Sequence, residues 1–209
     1  GISAYVIDDG SEDGTVECLR PLIGRGVLGI ETLPPRSDFN LRRILERKER
    51  LCRDIEADWF INHDADEFRD PPWPGVTLAQ AISRVDEAGF NAIDFALFDF
   101  WPVDESEPPP DGVQSHLRHC ETGQQFNRLQ VRCWKRTSAA VDLVSSGGHD
   151  VRFEGRRVFP YRFLLRHYPV RSTVHGRRKV LGERRPRYAE EERAGGWHVQ
   201  YDAFDQDST

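Results

Sequence analysis

The apolar positions of this chain alternate between two periods. Ser3-Ala4-Tyr5-Val6-Ile7-Asp8 is a short run of β-branched and aromatic residues that ends in carboxylates and turn formers, and it predicts a buried strand. A helical stretch over 13–23 and a strand over 27–31 follow. From Asp38, read as an N-cap, Leu41, Ile44, Leu45, Leu51, Cys52 and Ile55 recur at helical spacing with Arg, Lys and Glu between them, which predicts an amphipathic helix. Trp59-Phe60-Ile61 predicts another strand ending in acids, and a helix over 77–87 and a strand over 91–98 continue the alternation. This is the pattern of an α/β fold with a Rossmann-type, mainly parallel central sheet flanked by helices. Two of its strands carry Asp clusters at their C-terminal ends, where open α/β sheets place ligands.

Beyond Trp101 the alternation breaks. Residues 101–123, with Pro108-Pro109-Pro110 and several acids, are expected to form a loop over the site. Short strands are predicted at 131–135, 151–153 and 163–167, followed by a basic helical segment over 172–192. No repeat is present, and 209 residues suit one domain over 1–209, with a nucleotide- and metal-binding half (1–100) and an acceptor- and phosphate-binding half (101–209).

Composition narrows the function classes. With 38% hydrophobic and 11% aromatic residues the chain is expected to fold rather than stay disordered. No apolar run approaches the roughly 20 residues that span a bilayer. No leader pattern opens the chain, so a cytoplasmic location is expected, with peripheral association at the inner face of the membrane left open. The absence of Met and the start at Gly1-Ile2-Ser3 suggest a fragment. The net charge of -6 conceals an asymmetry: residues 152–187 hold twelve Arg or Lys against Glu154 and Glu183, a net +10. The acidic remainder argues against nucleic acid as a partner, while the basic block suits a local anion. Cys18, Cys52, Cys120 and Cys133 form no metal-type pair and read as free thiols.

The sharpest chemical motif is His63-Asp64-Ala65-Asp66-Glu67-Phe68 at a strand end. Asp64 and Asp66 are spaced to converge on a hard cation, and three acids in four residues repel one another unless positive charge is near. A solvated acidic turn or a cap accounts for most isolated Asp-x-Asp triplets. An EF-hand is excluded, because Arg69 and Gly75 stand where it needs Gly and Glu. The second motif, VIDDGSEDGT from Val6 to Thr15, sets Asp8, Asp9 and Ser11 at a strand end among glycines that permit close backbone approach.

Together these motifs resemble the family 2 glycosyltransferases of the GT-A fold. VIDDGSEDGT is similar to the family's nucleotide-binding segment and HDADEF to its DxD metal motif. LLRHYPVRS with Arg177-Arg178-Lys179 is similar to the C-terminal part of a bacterial subgroup, so the resemblance covers about residues 3–202. It implies a metal-dependent transfer of a sugar from a nucleotide donor, foremost a UDP-sugar, to a saccharide or other hydroxyl acceptor, with inversion. It implies that Asp8, Asp9, Ser11 and Asp64 contact the donor nucleotide, that Asp64, Asp66 and His167 hold Mn2+ or Mg2+, and that Arg171, Arg178 and Lys179 neutralise the diphosphate. A strand and a helix that precede VIDDGS in the family are missing here, as is its usual Glu-Asp base. In Ser146-Gly147-Gly148-His149-Asp150 either His149 or Asp150 would serve as the base, with His149 slightly favoured. Trp101 and Trp197 are candidates for stacking on a sugar or base, although core positions are commoner for Trp.

Two other readings stay open. One is a phosphohydrolase of the haloacid dehalogenase type, with Asp64 as nucleophile and Asp66 as acid, against which Phe68 counts. The other is a non-catalytic sugar- or nucleotide-binding module.

Overall fold

A strand of nine residues, β5 (Ala92–Phe100), organises the larger part of the chain. Its first six residues are buried, so it lies covered on both faces, as the near-continuous apolar sequence requires. The computed structural model describes residues 1–34, 36, 38–104, 106–109, 112–122, 128–188 and 190–194. Trp197 lies outside the described residues. By its contacts the chain divides into two compact units, 1–39 and 40–209.

The smaller unit pairs β1 (Ala4–Asp8) with β2 (Val27–Thr32) in parallel, linked by α1 (Thr15–Leu19) and a 3-10 turn at Arg20–Leu22.

The larger unit holds α2 (Leu41–Asp54), β3 (Trp59–Ile61), β4 (Glu67–Asp70), α3 (Leu78–Glu87) and β5. After β5 come α4 (Val113–His116), β6 (Cys120–Glu121), β7 (Val131–Lys135), β8 (Phe163–His167), α5 (Thr173–Arg177) and α6 (Glu190–Ala194). Its sheet runs β3-β7-β5-β8-β4, with β6 on the far end of β5. The fold is α/β, but this sheet is mixed and mostly antiparallel: among the described residues only β5 and β8 pair in parallel. A parallel neighbour needs a crossover, usually a helix. Among its described residues the connection from β5 to β7 carries only the four-residue α4 and β6, and β7 returns antiparallel.

Helices cover both faces. Ala81, Ile82 and Val85 of α3 pack with Ile93, Phe95, Leu97, Phe163 and Leu165 in one cluster. Leu45 of α2 packs with Ala92, Val131, Trp134, Leu143 and Val151 in the other. Several expectations shift in detail. The cap of α2 is Asn40, whose side chain accepts from Arg43 N, rather than Asp38, which pairs with Arg36. Residues 151–153 form no strand, only a bridge between Asp142 and Arg152. The basic segment is not one helix: α5 gives way to a π-helical turn (Arg178–Arg184) and a 3-10 turn (Arg185–Arg187), with Gly182 and Pro186 interrupting it. No described helix is long and apolar enough to cross a membrane.

Candidate functional site

In the smaller unit Asp8 ends β1 buried, and its carboxylate accepts from Gly10 N and Ser11 N, each at 3.2 Å. Gly10 makes the turn with φ at +84°. Two backbone amides therefore already hold Asp8, while Asp9 beside it is half-buried and Ser11 exposed.

In the larger unit the DxD segment is the turn between β3 and β4. Asn62 anchors its start: Asn62 N donates to Arg132 O, Nδ2 donates to Gly148 O at 2.7 Å, and Oδ1 accepts from Lys48 Nζ at 2.6 Å. Glu67 anchors its end. Buried, it accepts from Arg69 Nη2 at 2.7 Å, from Arg132 Nη1 and from Asp64 N. Between these anchors the two aspartates point at different cations. Asp64, 49% exposed, meets Arg132 Nη2 at 3.2 Å and Lys48 Nζ at 3.5 Å. Burial would push its carboxyl up, but Arg132 first, then Lys48, Arg69 and His149, hold it well below the usual carboxylate range. Asp66 meets Lys179 Nζ at 3.0 Å and His167 Nε2 at 3.7 Å.

His167 closes β8, and Asp99 of β5 fixes its ring through Nδ1 at 2.7 Å. Burial works against the imidazolium, yet the Asp99 hydrogen bond and the charge of Asp66 raise the His167 pKa above its ordinary value. His149 behaves oppositely: burial and then Arg132 push its pKa down to about 4. Its Nδ1 faces Arg132 Nη2 at 3.4 Å. Gly148 brings the backbone here at φ +83°, so close that a Cβ would lie 2.8 Å from Leu45 Cδ2 and 3.0 Å from Asn62 Nδ2. The glycine thus permits an approach to Asn62 and Leu45, elements of the protein itself.

The fold therefore gathers Asp64 and His149 around Arg132, and His167 and Lys179 around Asp66. Asp150 is tied elsewhere, to Arg156 Nη1 at 2.5 Å and Arg152 Nε at 3.4 Å. Arg171 and Arg178 line a separate cavity of about 280 Å³ with His175, Glu107 and Pro108. Arg178 pairs with Glu183, and Ser172, the cap of α5, donates to Glu107 at 2.6 Å, seating the proline-rich excursion on that helix. Trp101 is half-buried, its backbone N–H donates to His119 O, and its indole Nε1 is buried without a hydrogen-bond partner among the described residues.

The residues that sequence reasoning missed are the cations. Lys48, Arg69 and Arg132 balance the acids of the turn, so the positive charge that three neighbouring carboxylates require comes from the protein. Arg132 had a signal: an Arg within the apolar run Val131–Lys135 is a buried charge that needs a partner. Asp99, in the equally apolar β5, had the same one.

Asp64, Asp66 and His167 are donors of the kind a hard divalent ion takes, and the second aspartate faces the histidine. As arranged, each carboxylate carries a protein cation, and among the described residues no group of three or more His, Cys, Asp or Glu forms a ready-made cage. The donor types fit the ion, with Lys179 standing on one of them.

The chain matches no protein-family model, and no curated protein matches it.

Proposed function

We propose that the protein is a metal-dependent, inverting glycosyltransferase that moves a sugar from a nucleotide donor, foremost a UDP-sugar, to an acceptor hydroxyl. One observation carries the reading: Asp66 of the DxD turn and His167 of the closing HYPVRS segment, far apart in sequence, face each other at 3.7 Å, with Asp99 orienting the histidine. The resemblance asks for that pairing, and an accidental Asp-x-Asp turn does not.

In this reading Asp8, Asp9 and Ser11 take the nucleoside, and Asp64, Asp66 and His167 hold Mn2+ or Mg2+, which when bound supplies charge neutralisation for the departing diphosphate. Lys179, whose ammonium meets Asp66, adds positive charge for the same leaving group, while Arg171 and Arg178, which line the separate cavity, take no part in it. The acceptor oxygen bonds to the anomeric carbon as the bond to the diphosphate breaks, and the hydroxyl proton passes to a base. His149 is preferred over Asp150, which is engaged by Arg156. An imidazole whose Nδ1 accepts carries its proton on Nε2, so a base role needs the 3.4 Å contact with Arg132 to be loose. That distance is at the long limit for a hydrogen bond. A base with a pKa of about 4 is unprotonated at neutral pH and acts late, once carbon–oxygen bond formation has acidified the hydroxyl.

Calorimetric titration with UDP and GDP, with and without Mn2+, tests the reading, together with nucleotide release from a panel of nucleotide sugars. Mn2+-dependent UDP binding and a release activity abolished by Asp66→Ala are expected. Absence of nucleotide binding under both conditions would overturn it.

A further inference from the structure

We propose that Lys179 is an exchangeable counter-cation: it occupies Asp66 in the ligand-free protein, opposes divalent metal there, and moves to the donor's diphosphate when metal and nucleotide bind together.

The cations of the site fall into two kinds. Arg132 and Arg69 are built in: both are almost wholly buried on Glu67, itself 4% exposed, and Arg132 also donates to Gly148 O. Removing either would take from the buried Glu67 carboxylate one of its two guanidinium partners. Lys179 is held by less. Its ammonium meets Asp66 Oδ2 at 3.0 Å and Pro169 O at 2.7 Å, two acceptors for three donors. Asp66 is 32% exposed, so solvent or another ion can reach the pair from outside. A lysine head on a four-carbon stem swings without moving the backbone, unlike a guanidinium locked in a fork. Lys179 also sits in the π-helical turn, a feature frequent at functional sites.

Energetics gives the direction of the effect. Asp66 offers its carboxylate to Lys179 and His167, and a divalent ion arriving there meets an ammonium on the same carboxylate. Like charges about 4 Å apart at the partly wet edge of a protein repel each other, so metal alone binds weakly while the lysine stays. A diphosphate offers that ammonium new acceptors and frees Asp66. Metal and nucleoside diphosphate then favour each other's binding, by the same factor in both directions.

The second half of this inference rests on the transferase reading, and the test separates the two. Mn2+ alone is titrated, with free Mn2+ followed by electron paramagnetic resonance, into the wild-type protein, Lys179→Gln, which keeps a donor for Pro169 O, Lys179→Met and Lys179→Arg. Both neutral variants are expected to bind Mn2+ about tenfold more tightly or better, Lys179→Arg to resemble wild type, and Asp66→Asn to erase the gain in a Lys179→Gln background. An unchanged Mn2+ affinity in both neutral variants, or a gain that survives Asp66→Asn, overturns the exchange. Saturating UDP should then tighten Mn2+ in wild type and clearly less in Lys179→Gln; equal tightening overturns the hand-over to diphosphate. If UDP binds none of these proteins the transferase reading fails, while the Mn2+ titrations still decide whether Lys179 guards Asp66.

Discussion

Arg132 and Glu67 form an ion pair beneath the DxD turn in which each side chain is only 4% exposed. The same guanidinium reaches Asp64 and the Gly148 carbonyl, so one β7 residue ties the turn after β3 to the loop that carries His149. Breaking such a pair from one side leaves a buried charge with fewer partners, here Glu67 with Arg69 alone, at a cost of up to about 3 to 5 kcal/mol. Arg132→Met is expected to lower stability by that order in urea denaturation, and the double variant with Glu67→Gln to cost clearly less than the sum of the two single changes. Additivity within about 0.5 kcal/mol would mean that the two residues act independently.

Gly148 and Gly155 form a matched comparison. Both have positive φ, +83° and +75°, but a Cβ on Gly155 meets nothing within 4 Å, whereas one on Gly148 meets Leu45 and Asn62. Gly155→Ala should cost about 1 kcal/mol from backbone strain alone. Gly148→Ala should cost about 2 to 4 kcal/mol, because Asn62 must also yield its hydrogen bonds to Gly148 O and Lys48. Thermal denaturation of the two variants side by side reads the difference.

What the sequence made legible follows from the range of each interaction. Thr77 and Gln80 form the reciprocal cap that opens α3, and the apolar residues of β1, β3, β5, β7 and β8 mark those strands, since both signals are local. β4 was not visible: Glu67-Phe68-Arg69-Asp70 has one apolar residue and becomes a strand by pairing with β8, residues 164–167. The sheet's direction depended on that hidden strand and on the antiparallel return into β7. The acids of the site were readable by type and spacing. Their cationic partners were not, since Lys48 and Arg132 reach Asp64, and Lys179 reaches Asp66, only through the tertiary fold, and neighbouring sequence holds no record of these pairings.

The thiols separate into two reactivity classes. Cys18 and Cys120 are exposed, while burial pushes Cys52 and Cys133 up to about 12. Titration of the native protein with a disulfide reagent at pH 8 is expected to modify Cys18 and Cys120 rapidly, the half-buried Cys52 more slowly, and Cys133 only as fast as the protein opens. Rapid reaction of a third would contradict the packing of α2 or β7.

His149 and His167 should give opposite contributions to stability as pH changes. His149 titrates near 4 when folded and about 6.5 when unfolded. Between those values the unfolded chain holds the extra proton, so this residue's contribution weakens as pH falls through the window. His167 has a raised pKa, so its contribution is fully present below about 6.5 and is lost as pH rises through its folded value. Asp99→Ala removes the hydrogen bond that leads the upward shift and should bring the folded pKa of His167 down, while leaving His149 near 4. Ring-nitrogen chemical shifts followed from pH 3.5 to 8.5 measure both residues directly. A His167 that titrates below 6.5 in the wild-type protein would break the Asp66–His167–Asp99 arrangement on which the proposed site depends.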